Sequence, residues 1–119
     1  MANNQLVGKI GEKLAKNYLE NKGYQPIITN LKTSYQEIDI IARKNGQFYF
    51  IEVKTRTSTA FGSAADQISH QKIHSLKKAM ARYCFAQKIN QEKAHLDFVA
   101  VDLDLPKKKA KISHFKDII

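Results

Sequence analysis

Two runs rich in β-branched and aromatic residues, 36–43 and 47–55, flank the dipeptide Asn45-Gly46. A tight hairpin turn needs positive φ at both central residues, which Asn and Gly tolerate, so the runs are predicted to pair as antiparallel strands. A two-residue turn also fixes the register. Lys44 falls opposite Gln47 and Arg43 opposite Phe48, and the same register carries on to Asp39 opposite Glu52 and Glu37 opposite Lys54. Because strand side chains alternate, Glu37, Asp39, Ile41 and Arg43 share one face with Phe48, Phe50, Glu52 and Lys54. Ile38, Ile40, Ala42, Tyr49, Ile51 and Val53 make the other face, which is expected to be core.

The rest of the chain supplies partners for this hairpin. Leu6, Val7, Ile10, Leu14 and Tyr18 recur at helical spacing over residues 6–22, and Gly23 ends the pattern. Gly8, Gly11 and Ala15 lie beside that stripe, where small residues allow a close approach to a neighbour. Residues 24–31, with Ile27 and Ile28 after Pro26, read as a strand near a sheet edge. Residues 55–63 are small and polar, as expected of a loop. A second helix is predicted over 64–88, with Ile73, Leu76, Met80, Tyr83 and Cys84 inward. Residues 95–103 make a fourth strand whose Phe98-Val99-Ala100-Val101 run suggests burial on both faces, and 110–115 a short edge strand. The expected fold is α/β: a mixed β-sheet flanked by helices, core order αβββαβ, in a single domain spanning 1–119.

The hairpin register places two carboxylates, Asp39 and Glu52, face to face with Cβ atoms roughly 5 Å apart. Such a pair is unstable unless one is protonated or a cation lies between them. An all-oxygen site suits a hard ion, Mg²⁺ or Mn²⁺, and a cation there could polarise a phosphodiester and activate a bound water. Lys54, two residues beyond Glu52, could stabilise the developing charge. The competing reading is a solvated acidic face with a plain Glu37–Lys54 ion pair, and a one-residue slip of register would turn Asp39 away. Glu12 falls at the edge of the first helix's inner arc, near Gly8, Ala15 and Leu19. It could reach a shared ion or pair with Lys16 one turn on. Arg56 could contact a phosphate or be a solvated strand-end residue. Lys72 could reach the site from the second helix or snorkel outward.

Twenty Lys and Arg against 11 Asp and Glu give a formal charge of +9, which suits a polyanionic partner, nucleic acid above all. With Cys84 the only cysteine, an internal disulfide, a zinc ribbon and a Cys-x-x-Cys redox site are excluded, and a packed core thiol is expected. No apolar run is long enough to span a bilayer and no signal core opens the chain, so the expectation is a cytoplasmic protein without membrane association. His70, His74, His95 and His114 show no metal-ligand spacing and are expected at the surface or as caps. Asp97, in an apolar strand, is expected to be satisfied by a polar neighbour.

Several separated motifs occur in order: Gly8-Lys-Ile-Gly-Glu12, Gly23-Tyr24, Asn30, Glu37-Ile-Asp-Ile-Ile41, Phe50-Ile-Glu-Val-Lys-Thr-Arg56, Phe61-Gly62, Lys72 and Leu96-Asp-Phe-Val99. Together they resemble the YraN-like family of uncharacterised bacterial proteins, within the restriction-endonuclease-like (PD-(D/E)XK) superfamily, over nearly the whole chain. The resemblance implies a nuclease-type core with Asp39, Glu52 and Lys54 in the catalytic positions and a Mg²⁺- or Mn²⁺-dependent endonuclease activity on DNA. Glu12 is similar to an additional metal-site acid of the archaeal Holliday-junction resolvases, which makes branched or single-stranded DNA the implied substrate and a homodimer a possible assembly. Ile38 stands where the superfamily has its eponymous proline, and Gln36 where the family usually has glycine.

Overall fold

The computed structural model describes residues 4–57 and 64–119. The Asn45-Gly46 turn forms with φ of 52° and 76° and joins β2 (Ile38–Lys44) to β3 (Gln47–Arg56). The register is the one the turn dictates, from Lys44↔Gln47 to Ile40↔Ile51. Ahead of the hairpin run α1 (Asn4–Asn21) and β1 (Gln25–Leu31); after it come a short 3-10 turn (Ala64–Gln67), α2 (His70–Gln87), β4 (Ala94–Asp104) and β5 (Lys109–Phe115). The result is a mixed α/β architecture: one five-stranded sheet in the order β1-β2-β3-β4-β5, with β3 and β4 parallel and every other pair antiparallel. The parallel pair is possible because α2 carries the chain back between them. β1, with Pro26, and β5 are the edges, as expected.

Both faces of the sheet are covered. α1 packs through Val7, Ala15 and Leu19 on a cluster that includes Ile40, Ala42, Ile51, Val53, Val99 and Val101. α2 packs through Leu76, Ala79, Met80 and Cys84 on Ile41, Phe50 and Leu96, with Ile73 and Tyr83 at the margin. Cys84 is the expected core thiol, and burial pushes its pKa up. The four residues Phe98, Val99, Ala100 and Val101 are all buried, divided between the two faces. None of the described helices is long and apolar enough to cross a membrane.

Three expectations need correction. The buried line of α1 is Val7, Gly11, Ala15 and Leu19, whereas Leu6 is 57% exposed and Ile10 is exposed too. The helix approaches through small residues: a Cβ added at Gly11 would run into the Thr55 side chain, while one at Gly8 would meet nothing. The second helix does not start at residue 64, because Ser69, in extended conformation, caps α2 by accepting the Lys72 N–H at 3.1 Å. The His114 side chain is buried and that of His95 is half-buried, and both are engaged by side chains within the fold. His114 Nε2 lies 2.7 Å from the fully buried Asp97, and His95 Nε2 and Nδ1 lie 2.9 and 2.6 Å from Gln47 and Asp117. Asp97 also accepts the Asp117 N–H at 2.9 Å, so the expectation of a satisfied core carboxylate holds. Of the loop expected over 55–63, residues 58–63, including Phe61 and Gly62, lie outside the described residues.

Candidate functional site

The β1–β2 register shifts between Pro26 and Ile28, and further along the same pair, at Asn30, the alternation of side chains breaks where the acidic residues gather. Asn30 lies between the pairs Thr29↔Ile40 and Leu31↔Ile38, opposite Asp39, with a φ of 53°. That left-handed conformation is one asparagine tolerates better than most residues, but it is unusual inside a strand. Its effect is visible on both strands. Ile28 and Leu31, three apart, face the α2 cluster together, and so do Ile38 and Ile41. Ile38 therefore leaves the face predicted for it, while Ile40 and Ala42 keep theirs.

Where the alternation slips, β2 and β3 part. The paired ladder stops at Ile40↔Ile51, and the next amide, Val53 N–H, donates to Asp39 Oδ2 at 2.8 Å. A side chain has replaced a backbone acceptor, so the Asp39 carboxyl occupies the opening between the strands, 9% exposed. From that position it meets acids on both sides. Glu52, 3% exposed, lies beside it and raises its pKa, as does the charge of Glu12. One carboxylate oxygen from each of Glu12, Glu37 and Asp39 lies within 4.8 Å of the others.

Four carboxyl groups this close repel one another unless positive charge or protons intervene. Three devices do so. Burial, and then the contact with Glu52, raises the pKa of Asp39 to about 9, so at neutral pH its carboxyl holds a proton. Asn30 Nδ2 donates to Glu12 at 2.9 and 3.2 Å and to Glu37 at 3.3 Å. Lys72, from the first turn of α2, brings Nζ to 2.6 Å from Glu52 Oε2. The ammonium approaches off the hydrogen-bonding directions, so the charges attract while this buried oxygen has no hydrogen-bond partner among the described residues. A proton, an amide and an ammonium together do the work of one divalent cation.

The donor set fits a hard cation. It is all oxygen, one buried Glu52 oxygen has an ammonium beside it but no hydrogen bond, and burial together with the neighbouring acids raises the pKa of Asp39. Glu12 and Glu37 line an open recess of about 840 Å³ whose other walls carry Lys9, Lys32, Lys54 and Arg56. A negative centre is thus framed by positive side chains, as suits an anionic substrate brought to a cation.

Asp39, Glu52 and Glu12 come together from β2, β3 and α1, with Asp39 beside Glu52 where the strands part and not as a paired cross-strand residue, and Lys54 and Arg56 line the recess with Glu12 and Glu37. Lys72 reaches Glu52 instead of snorkelling away. Glu37 meets Asn30, not Lys54. Two members of the site went unassigned: Glu37, whose place two residues before Asp39 was the available signal, and Asn30, whose backbone conformation leaves no trace in periodicity.

The chain was compared with known proteins. A family model described as "Uncharacterised protein family UPF0102" matches residues 11–101. A UPF0102 protein of Alkaliphilus oremlandii is 38% identical over 114 residues, covering 96% of this chain and 97% of the relative. One from Flavobacterium psychrophilum is 39% identical over 117 residues, covering 98% and 96%, and one from Syntrophomonas wolfei is 37% identical over 111, covering 93% and 95%. The match spans Glu12, Asn30, Glu37, Asp39, Glu52, Lys54 and Lys72, and the chain belongs to the UPF0102 family.

Proposed function

We propose that this chain is a divalent-cation-dependent endonuclease of restriction-endonuclease-like fold that hydrolyses phosphodiester bonds in DNA, branched or single-stranded DNA being the expected substrate. The observation that carries the reading is the convergence of Asp39, Glu52, Glu12 and Glu37 at the point where β2 and β3 part, beneath a recess walled by lysine and arginine. A mixed five-stranded sheet between two helices, with α2 leading from β3 to the parallel β4, supports the reading.

In this reading Asp39, Glu52 and Glu12 hold Mg²⁺ or Mn²⁺, with Glu37 as a fourth acid. When bound, such an ion polarises a phosphodiester and makes a water acidic enough to attack it. The chain's own residues do the rest. Asp39 gives up its proton as the ion is taken up, and Lys54 lies in the recess to neutralise charge growing on the phosphate oxygens. Arg56 and Lys9 hold the flanking backbone. Lys72, beside Glu52, would be a further phosphate contact.

The Lys72–Glu52 pair also favours a second reading, a nuclease-fold protein that binds nucleic acid without cutting it, since the ammonium already neutralises one of the metal-binding acids. Incubation with single-stranded, duplex, flapped and four-way DNA, in Mn²⁺ and in chelator, separates the two. Cutting should require Mn²⁺ and be lost in Asp39→Ala and Glu52→Ala, and Lys54→Ala should slow it about 100-fold. Intact protein that binds Mn²⁺ and DNA yet cleaves none of these substrates would leave the binding-only reading standing.

A further inference from the structure

Helix α2 turns its inner residues to the sheet and presents a separate stripe outward: Lys78, Arg82 and Phe85, spaced i, i+4, i+7. Phe85 is 84% exposed, which is costly for a side chain of that size in an otherwise well-buried domain. Tyr35, 44% exposed, stands beside the stripe, with Lys78 Nζ 5.8 Å from its ring centre. The four side chains, with Ala81, bound a shallow recess of about 520 Å³.

Tyr35 is held in place. Thr33 Oγ1 accepts the N–H groups of Tyr35 and Gln36 at 3.1 and 3.0 Å and donates to the Gln36 carbonyl at 2.7 Å. This short turn runs directly into Glu37 of the acidic site, so the aromatic surface begins two residues from a carboxylate of that site.

We infer that Tyr35, Lys78, Arg82 and Phe85 form a base-stacking platform for an unpaired stretch of a nucleic-acid strand. Two aromatic faces flanking two cations match such a strand, whose bases stack and whose phosphates are anionic, and the charge of +9 has the sign required. Lys78 and Arg82 would repel a second copy's identical stripe, and an exposed aromatic ring gives little hold on a duplex whose bases are already stacked. The platform continues the acidic site away from the recess, so a strand lying on it would run past Glu37. The inference rests on the chain acting on nucleic acid, and not on the cation or on cleavage.

The test uses the full chain in chelator, with a labelled oligothymidine about 12 nucleotides long and an abasic strand of equal length, read by fluorescence anisotropy. Phe85→Ala should weaken oligothymidine binding about tenfold and leave abasic binding unchanged, Tyr35→Ala should act in the same direction, and Phe85→Trp should keep wild-type affinity. Equal affinity of wild type and Phe85→Ala for oligothymidine, or equal losses on both strands, would overturn the platform. So would wild-type protein that binds neither strand, or a wild-type dimer that Phe85→Ala dissolves without changing oligonucleotide affinity. The Mn²⁺-induced rise in melting temperature should be the same in Phe85→Ala as in wild type. Its absence from both would sink the cation site while leaving the stacking comparison readable.

Discussion

Replacing Asp39 with asparagine should stabilise the metal-free protein at neutral pH while removing its response to Mn²⁺. The reason lies in the opening between β2 and β3. The protonated carboxyl accepts the Val53 N–H and lies beside Glu52, and an asparagine amide reproduces both the acceptor and the donor without ever ionising. In the unfolded chain the Asp39 carboxyl loses its proton near pH 3.8, but in the folded chain only near pH 9. Stability from this group is therefore complete below about pH 4 and drains away as pH rises toward 9. At pH 7 the loss is about 4 kcal/mol, from some three pH units at about 1.4 kcal/mol each. Asparagine has no such loss. With some relaxation of the wild-type site allowed for, the variant should gain about 2–4 kcal/mol at pH 7, a rise in melting temperature of at least about 8 °C for a domain of this size. Thermal melts of both proteins in chelator between pH 4 and pH 9 measure it. The gap should close toward pH 4, and the variant should show no Mn²⁺-induced shift. A variant less stable than wild type at pH 7, or a gap independent of pH, would refute the protonated-carboxyl argument.

Lys72→Met should cost the metal-free protein about 2 kcal/mol, less than a fully buried pair because Lys72 is partly solvated, and it leaves Glu52 without its ammonium. Mn²⁺ should then raise the melting temperature of the variant more than that of wild type, because the ion supplies the missing charge; equal shifts would argue that Glu52 does not face the ion. Gly11→Ala should destabilise by about 1–3 kcal/mol, measured by urea unfolding, since the added methyl meets the Thr55 side chain where α1 crosses β3. It should also weaken Mn²⁺ binding, because Glu12 rides on the same helix, whereas Gly8→Ala, with open space around it, should do neither.

The hairpin was legible because its turn chemistry is local: Asn45-Gly46 accepts only a narrow set of conformations, and once they are granted the register follows by counting as far as Ile40 opposite Ile51, one residue short of Asp39 and Glu52. The α1 stripe misled for a physical reason. Periodicity gives weight to large residues such as Leu6 and Ile10, but this helix is seated by Gly11 and Ala15, whose small size brings the backbones together. Ser69 ended a helical pattern that continued on both sides of it, and its cap could have been read from the residue type. The slip at Asn30 could not. The parity of both strands changes beside the positive φ of Asn30, just past the register shift between Pro26 and Ile28, and no alternation rule applied along one strand can detect it. That slip joins Glu37 to the site and lets Asp39 reach acids on both sides. The buried place of His114 and the half-buried one of His95 were not legible because their partners, Gln47, Asp97 and Asp117, are distant in sequence or belong to another strand.

Calorimetric titration of Mn²⁺ into the metal-free chain at pH 7, repeated in buffers of different ionisation enthalpy, reports both the ion bound and the protons it displaces. If the clustered carboxyls form one cation site with Asp39 at its centre, binding should release about one proton per ion, tighten about tenfold for each pH unit up to about pH 9, and vanish in Asp39→Asn. Wild-type protein that takes up no Mn²⁺, or an Asp39→Asn variant that binds it as tightly as wild type, would contradict the account.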